Sequence, residues 1–160
     1  GTEGVGKYVA GIAAYNSGKI SNCHAIGDID SNAAVLAGIA ASNSGTITGC
    51  SNYMNVSGSY TIGGIASENT GTIKDCSNYG KISQKDINSV GQAGGIAAGN
   101  TASGTIQSCK NYAEIKGASN NIGGIAGYTA GTIKNCGNDY GFTSNIKTTE
   151  LHRIVKQIRW

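Results

Sequence analysis

The chain repeats one segment five times, and this repetition constrains its fold more than any other feature. Each copy begins with Gly-Ile-Ala, continues through Gly-Thr-Ile or a close variant to a cysteine, and ends at an apolar residue. The copies span residues 10–29, 37–56, 63–82, 94–115 and 123–142. Repetition at a short, nearly fixed period is typical of proteins that stack one structural unit on the next. We therefore predict that each copy forms one layer of a repeat architecture.

Equivalent residues of the five copies recur at a nearly constant spacing. The isoleucine of Gly-Ile-Ala recurs after 27, 26, 31 and 29 residues, and a cysteine recurs after 27, 26, 33 and 27 residues. These positions are Ile12, Ile39, Ile65, Ile96 and Ile125, and Cys23, Cys50, Cys76, Cys109 and Cys136. The additional residues fall at 84–90 and 101–103, between the repeated segments. Length variation that is confined to turns indicates stacked coils with fixed strands.

Each copy contains three short segments with strand character, which predicts a parallel β-helix. The segments are too short and too rich in glycine for helices, and Asn, Ser, Thr and Gly separate them as turn residues. We predict an all-β fold over residues 1–146, a parallel and right-handed β-helix of five coils with three short strands per coil. The coils are predicted to begin near residues 10, 37, 63, 94 and 123. Five coils stacked at the inter-strand distance give a rod about 24 Å long.

Stacked coils place equivalent residues in columns, and the residue types predict which columns face the core. The isoleucine and cysteine columns are expected to face inward, and free thiols are favoured over disulfides because in-register side chains have poorly directed Cβ atoms. One corner column is expected to form hydrogen bonds between side-chain amides along the axis, and it contains Asn16, Asn43, Asn69 and Asn100. Two outward columns are candidate surface contacts, namely Tyr53, Tyr79 and Tyr112, and Thr46, Thr72, Thr105 and Thr132. The insertion at 84–90 is a further candidate contact.

The last residues of the chain break the repeat and predict a helix. Residues 147–160 form the second segment of the chain, and its apolar residues recur at helical spacing, at Leu151, Ile154, Val155 and Ile158. Thr148 or Thr149 is the expected N-cap. We predict an amphipathic helix that covers the open strand edges of the last coil or takes part in assembly, with Trp160 at its end.

Charge and hydropathy restrict the partners of this chain. Residues 1–146 carry eight lysines and eight acids, and the net charge of +3 comes from the last fourteen residues. A neutral body argues against nucleic acid as a partner, because phosphate binding needs a dense basic surface. No apolar run approaches the roughly 20 residues that cross a bilayer, so no transmembrane segment is predicted.

The sequence gives no support for catalysis or for a bound cofactor. The closest cysteines are 26 residues apart, which lacks the clustered spacing of zinc ligands. The acidic residues fall in different columns, so no pair of carboxylates is predicted to share a site. His24 and His152 are the only histidines, and neither has a predicted nucleophile as partner. We predict a protein that is not an enzyme and that holds no cofactor or metal.

The pattern G-G-I-A-x-x-N-x-G-T-I-x-x-C resembles the GLUG-motif repeats of large bacterial surface and secreted proteins. The match covers roughly residues 10–142. This resemblance implies a β-solenoid stalk or adhesion region without catalysis of its own, located outside the cell or on the bacterial surface. The expected function is a structural and adhesive module that presents a rigid face to a host or cell-surface protein or to a glycan.

Two other functions remain open from the sequence. A neutral solenoid with an exposed terminal coil is able to stack head to tail, as a self-assembling extracellular filament. An outward threonine column is also the physical basis of ice binding on β-solenoids. However, its neighbouring column contains Lys74, Gln107 and Lys134, and these long side chains interrupt a flat array, so ice binding is the minor alternative.

Overall fold

The computed structural model describes residues 8–85, 91–117, 119, 121–140 and 142–144. This part of the chain contains 25 short strands and no helix. The strands lie in five coils, so the predicted all-β fold of five stacked coils is confirmed. Residues 147–160, with the predicted helix and Leu151, Ile154, Val155, Ile158 and Trp160, lie outside the described residues.

Each coil contributes five strands of two to four residues. Coil 1 contains β1 (Tyr8–Ala10), β2 (Ala13–Asn16), β3 (Lys19–Ser21), β4 (His24–Ala25) and β5 (Asp28–Asp30). Coil 2 contains β6 (Val35–Ala37), β7 (Ala40–Asn43), β8 (Thr46–Thr48), β9 (Ser51–Asn52) and β10 (Asn55–Gly58). Coil 3 contains β11 (Thr61–Gly63), β12 (Ala66–Asn69), β13 (Thr72–Lys74), β14 (Ser77–Asn78) and β15 (Ile82–Gln84). Coil 4 contains β16 (Gln92–Gly94), β17 (Ala97–Asn100), β18 (Thr105–Gln107), β19 (Lys110–Asn111) and β20 (Ile115–Gly117). Coil 5 contains β21 (Asn121–Gly123), β22 (Ala126–Thr129), β23 (Thr132–Lys134), β24 (Gly137–Asn138) and β25 (Phe142–Ser144).

Strands at the same position of successive coils pair in parallel and form five sheets. Sheets A, B, C, D and E contain the first, second, third, fourth and fifth strand of every coil, respectively. The pairing is in register with the repeat, as Ile47, Ile73, Ile106 and Ile133 show in sheet C. Equivalent residues therefore lie above one another along the axis, as the sequence predicted.

The prediction of three strands per coil is wrong, because two of the predicted segments contain a bend. Gly-Ile-Ala crosses from sheet A to sheet B, so that β11 ends at Gly63 and β12 begins at Ala66. The last segment is divided as well, since β14 ends at Asn78 and β15 begins at Ile82. Alternation of apolar and polar residues indicates a strand, but it does not show where a glycine allows that strand to bend.

The interior is divided into two apolar clusters. The larger one lies among sheets B, C and D and contains the isoleucine and cysteine columns. The smaller one joins sheets A and E and includes Leu36, Val56, Ile62, Ile82, Ile115 and Ile122. Each fully buried isoleucine contributes roughly 1.5 to 3 kcal/mol through removal of its surface from water. The inward orientation predicted for the isoleucines is confirmed in coils 2 to 5, whereas Ile12 of coil 1 is 42% exposed.

The two clusters are separated by a narrow waist where backbone packs directly on side-chain amides. In coils 2 to 5 the glycine before Ile-Ala lies against the side-chain amide of an asparagine, whereas Gly11 of coil 1 lies against Met54 and the backbone oxygen of Gly38. A Cβ atom at Gly64 would lie 2.6 Å from Cγ of Asn78, and one at Gly95 would lie 2.5 Å from Cγ of Asn111. Glycine is required here by close approach, which explains its recurrence in the repeat.

No helix among the described residues is long and apolar enough to cross a membrane.

Candidate functional site

Three tyrosines at the turn between sheets D and E form a stacked ridge on the surface. The rings of Tyr53 and Tyr79 have centroids 4.9 Å apart and planes 6° from parallel. The rings of Tyr79 and Tyr112 have centroids 4.9 Å apart and planes 5° from parallel. The three residues are 46%, 45% and 36% exposed, respectively. The sequence selected them as candidate contacts, and the structure brings them together in one ridge, which we call the tyrosine column.

A ladder of asparagines that the sequence analysis missed lies directly beneath the tyrosine column. Asn52 Nδ2 donates to Asn78 Oδ1 at 2.8 Å, and Asn78 Nδ2 donates to Asn111 Oδ1 at 2.8 Å. Asn111 Nδ2 then donates to Asn138 Oδ1 at 2.9 Å. We call these four residues the second asparagine ladder. The dipeptide Asn-Tyr in coils 2, 3 and 4 is the sequence signal that could have revealed it.

Backbone hydrogen bonds hold the backbone of each residue in the tyrosine column. The backbone N–H of Tyr53 donates to the carbonyl of Ala25 at 2.7 Å. The N–H groups of Tyr79 and Tyr112 donate to the carbonyls of Asn52 and Asn78, respectively, each at 2.8 Å. Because the preceding asparagine is also held in the second asparagine ladder, the tyrosine backbone has little freedom to move.

The tyrosine column ends where other residue types take its position. Ile26, which follows β4, takes the equivalent position in coil 1 and is 78% exposed. Asp139 takes the equivalent position in coil 5, and its N–H donates to the carbonyl of Asn111 at 2.9 Å. His24 is exposed, and its ring centroid lies 6.3 Å from that of Tyr53.

The asparagine column that the sequence predicted is confirmed, and we call it the first asparagine ladder. Asn16 Nδ2 donates to Asn43 Oδ1 at 2.8 Å, and Asn43 Nδ2 donates to Asn69 Oδ1 at 2.9 Å. Asn69 Nδ2 donates to Asn100 Oδ1 at 2.8 Å. In coil 5 the ladder ends on a hydroxyl, because Asn100 Nδ2 donates to Thr129 Oγ1 at 3.1 Å.

The cysteine column faces the core as free thiols. Cys50, Cys76, Cys109 and Cys136 are buried, and Cys23 of the terminal coil is half-buried. Each of the five thiols donates to the carbonyl two residues before it, at 3.2 to 3.4 Å. Burial raises the pKa of the Cys50 thiol to about 11. The pKa of Cys109 is raised well above its ordinary value by hydrogen bonds with Cys136 and Cys76 and by burial. Thiols with a raised pKa, such as Cys50 and Cys109, stay protonated near neutral pH and react slowly with oxidants and electrophiles. Hydrogen bonds with Cys109 lower the pKa values of Cys76 and Cys136.

The threonine column lies on the outer face of sheet C. Thr46, Thr72, Thr105 and Thr132 are paired in register. The first three are half-buried and Thr132 is exposed. The neighbouring outer column contains Lys74 and Lys134, both exposed, and the half-buried Gln107. Long side chains of this kind stand beside the threonine hydroxyls, so the outer face of sheet C is not a flat hydroxyl array.

The predicted contact at the insertion and a possible metal site are two further candidate sites. Gln84, the start of the insertion predicted as a contact, is only 5% exposed, and its Oε1 accepts from the N–H of Ser119 at 2.9 Å. It therefore does not belong to an outer contact surface, and residues 86–90 lie outside the described part. Among the described residues no group of three or more histidines, cysteines and acids is arranged to hold a metal ion.

The fold defines this chain as a parallel β-solenoid repeat protein of five coils. Comparison with protein-family models, with curated proteins and with solved structures found no match to the chain. The resemblance to GLUG-motif repeats therefore stays a prediction from the sequence.

Proposed function

We propose that this protein is a structural and adhesive module, without catalysis, that presents a rigid outer face as part of a bacterial secreted or cell-surface protein. The observation that carries the proposal is the tyrosine column, with two ring separations of 4.9 Å on a backbone held by the second asparagine ladder. The location outside the cell rests on the resemblance to GLUG-motif repeats.

A prearranged ridge of tyrosines suits binding for an energetic reason. Tyrosine is enriched among the residues that dominate binding energy, because it buries a large area with few rotatable bonds. Side chains that are already ordered lose little conformational entropy when a partner binds. The stacked rings cover one another's faces, so their edges and hydroxyl groups are the parts that meet a partner.

The surroundings of the tyrosine column favour a partner of low charge. Ser51 and Ser77 lie on the strands before it, and Lys110 is the cation there. On the other side, Lys81 pairs with Glu114 at 3.5 Å, so these two charges offset each other. A ridge of phenol groups in a nearly neutral frame fits the polar surface of a protein or a glycan better than a polyanion.

The proposal is tested by measuring adhesion of particles coated with the purified protein. The probes are immobilised extracellular-matrix proteins, mucin glycans and bacterial cell-wall polysaccharide. We expect binding to at least one probe, and a loss of roughly tenfold in affinity for Tyr79→Ala, as for a central contact residue. Tyr60→Ala is the matched control, because Tyr60 is 43% exposed and lies outside the column, whereas Tyr79 is 45% exposed.

Two outcomes would contradict the proposal. If the protein binds none of the probes, the adhesive role is wrong. If Tyr79→Ala and Tyr60→Ala bind as well as the unchanged protein, the tyrosine column is not the contact. Far-ultraviolet circular dichroism of both variants establishes that the β-helix is retained.

Head-to-tail assembly is a second candidate function, and the exposed side of coil 1 favours it. Strands β1 to β5 each lie at the end of their sheet. Ile12 is 42% exposed, and Ile20 and Cys23 are half-buried, whereas their counterparts in coils 2 to 5 are buried. A second copy that adds its coils to this edge would make a contact that propagates. Light scattering is expected to rise with concentration and to stay flat for Ile12→Lys; a strictly monomeric protein at every concentration rejects this candidate.

We also propose that the C-terminal segment covers the open edge of coil 5. Leu151, Ile154, Val155 and Ile158 recur at helical spacing, which supports an amphipathic helix over 147–160 that covers the edge of coil 5. Deletion of residues 148–160 is expected to lower stability or to promote association. A truncated protein that is monomeric and equally stable would show that the segment does not cover this edge.

A further inference from the structure

A notch interrupts the outer face of sheet B in coil 4. The in-register pairing of sheet B places one outer residue per coil in a column, which contains Tyr15, Ser42, Glu68, Gly99 and Tyr128. Gly99 has no side chain, so a depression of about 290 Å³ opens between Glu68 and Tyr128. Gln92 borders it from sheet A, and Thr101 borders it from the turn that follows β17.

The walls of the notch combine one aromatic ring with several polar groups. Tyr128 is 46% exposed and forms one end. Glu68 is half-buried at the other end, and its Oε2 accepts a hydrogen bond from the hydroxyl of Tyr8 at 3.4 Å. The ion pairs in the described part of the chain are Lys81 with Glu114 and Lys85 with Asp30, so Glu68 is not neutralised by a cation there. Its carboxylate has acceptor capacity left for a ligand.

Packing does not require glycine at position 99. A Cβ atom there would meet only the end of the Gln92 side chain, at 2.7 Å from Oε1, and that side chain is able to move. The contrast with Gly94 is clear, because a Cβ atom at Gly94 would lie 1.9 Å from the backbone oxygen of Ala97. Gly94 is therefore demanded by the fold, whereas Gly99 leaves space on the surface.

From this geometry we infer that the notch binds one pyranose residue of a glycan. A pyranose has an apolar face of C–H groups, which packs on the Tyr128 ring, and equatorial hydroxyls around its edge. Those hydroxyls donate to the Glu68 carboxylate and exchange hydrogen bonds with the Gln92 amide and the Thr101 hydroxyl. The volume of about 290 Å³ lies at the small end of ligand pockets, which fits a single sugar unit.

The charge of the notch argues against other ligand classes. A phosphate or sulfate would meet the Glu68 carboxylate, which repels it. A divalent cation needs several oxygen ligands, and a single carboxylate lines the notch. A neutral molecule rich in hydroxyl groups satisfies the polar groups without either conflict.

This inference adds a second binding site to the adhesive module proposed above. The notch lies on sheet B, whereas the tyrosine column lies between sheets D and E. Sheets C and D lie between the two regions along the coil, so the two sites are able to bind independently. Failure of the notch to bind sugar leaves the role of the tyrosine column intact, and the reverse also holds.

The test is a titration of the isotopically labelled 160-residue chain with methyl glycosides, followed by nuclear magnetic resonance. The probes are the glycosides of glucose, galactose, mannose, N-acetylglucosamine and glucosamine, with N-acetyl-lysine amide as a cationic and non-sugar comparison. We expect shifts confined to the amides of Gln92, Gly99 and Thr101 and to the Tyr128 ring. A dissociation constant on the order of 1 mM is expected for a single sugar unit.

Variants then separate a built site from incidental contact. Gly99→Leu fills the notch, and Tyr128→Ala removes its aromatic wall; each is expected to weaken sugar binding at least tenfold. Glu68→Gln is expected to weaken it as well, and Tyr60→Ala is expected to leave it unchanged. Gly99→Ala is the folding control, because packing predicts that it keeps the stability of the unchanged protein. No shift with any glycoside, shifts located at the tyrosine column instead, or a response to the lysine compound alone would each overturn the inference.

Discussion

At the scale of single residues, the second glycine of Gly-Gly-Ile-Ala shows how closely the two halves of each coil approach. Gly64 lies where a Cβ atom would be 2.1 Å from the backbone oxygen of Gly95 and 2.6 Å from Asn78. Real Cβ atoms do not approach backbone oxygens to that distance, so any larger residue must displace the neighbouring coil. The glycine recurs in the repeated motif because close packing at the waist leaves no room for a larger residue.

Gly64→Ala is expected to lower the free energy of unfolding by about 3 kcal/mol, because the clash involves backbone that cannot relax. Gly18→Ala is the matched control, since a Cβ atom at Gly18 meets nothing within 4 Å, and it should change stability by less than about 0.5 kcal/mol. Denaturant unfolding of both variants measures the difference. Equal stability of the two variants would contradict the close packing of Gly64 against Gly95 and Asn78.

The buried Cys50 thiol predicts a specific dependence of stability on pH. Burial raises the pKa of Cys50 from 9.0 to about 11, whereas the unfolded thiol ionises near its ordinary value. The stabilisation is therefore fully present below pH 9 and is lost as pH rises from about 9 through about 11. The loss reaches at most about 1.4 kcal/mol per pH unit for one thiol.

The Cys50 contribution is isolated by comparing the protein with Cys50→Ala across this pH range. Every other residue is the same in the two proteins, so the difference reports the contribution of Cys50. The gap in unfolding free energy is expected to narrow as pH rises. A gap that stays constant from pH 8 to the alkaline limit would show that the Cys50 pKa is not raised by folding.

At the scale of elements, the asparagine ladders tie each turn to the turns of the coils on either side. Asn78 Nδ2 donates to Asn111 Oδ1 at 2.8 Å and to the carbonyl of Gly80 at 2.9 Å. Its Oδ1 accepts from Asn52 Nδ2 at 2.8 Å. A buried amide that loses such partners bears the cost of desolvation without compensation.

Asn78→Ala is expected to destabilise the protein by about 3 kcal/mol, because it leaves the amides of Asn52 and Asn111 each without one partner. Asn32→Ala, at an exposed position, should cost less than about 0.5 kcal/mol. Thermal and denaturant unfolding measure both effects. A ladder variant as stable as the exposed control would contradict a structural role for these hydrogen bonds.

The sequence predicts the elements of this fold better than their boundaries. The coil number and the inward columns follow from repetition and from residue type, because stacking places equivalent residues together. The bend between sheets C and D is harder to predict, since the residue before each cysteine takes a left-handed conformation in every coil, with φ of 54° or 64°, at Asn22, Gly49, Asp75, Ser108 and Asn135. The four residue types share only a tolerance of that conformation. They look unrelated when the repeat is aligned by identity.

The candidate sites differ in how far the sequence reveals them. The tyrosine column was predicted because the same residue recurs at the same position of three coils. The notch was not predicted, because Glu68, Gly99 and Tyr128 differ from one another and only the pairing of sheet B brings them into one column. Gln92 reaches the notch from another sheet, which no repeat alignment shows.

At the scale of the whole molecule, stability comes from contacts between neighbouring coils. Every buried side-chain nitrogen or oxygen of the described residues has a hydrogen-bond partner. Both ladders run through successive coils, and so do the isoleucine and cysteine columns. A chain of this kind behaves as a one-dimensional stack in which each coil stabilises the next. The repeated residues build the scaffold, and both proposed binding sites lie on the outer surface.

In-register asparagine ladders hold the five coils together, and the protons of their side-chain amides test this arrangement most directly. In nuclear magnetic resonance spectra we expect contacts between the amide protons of Asn43 and Asn69 and between those of Asn52 and Asn78. Their hydrogen exchange should be as slow as that of the most protected backbone amides. Absence of these contacts, together with exchange as fast as that of exposed Asn32, would contradict the stacked arrangement.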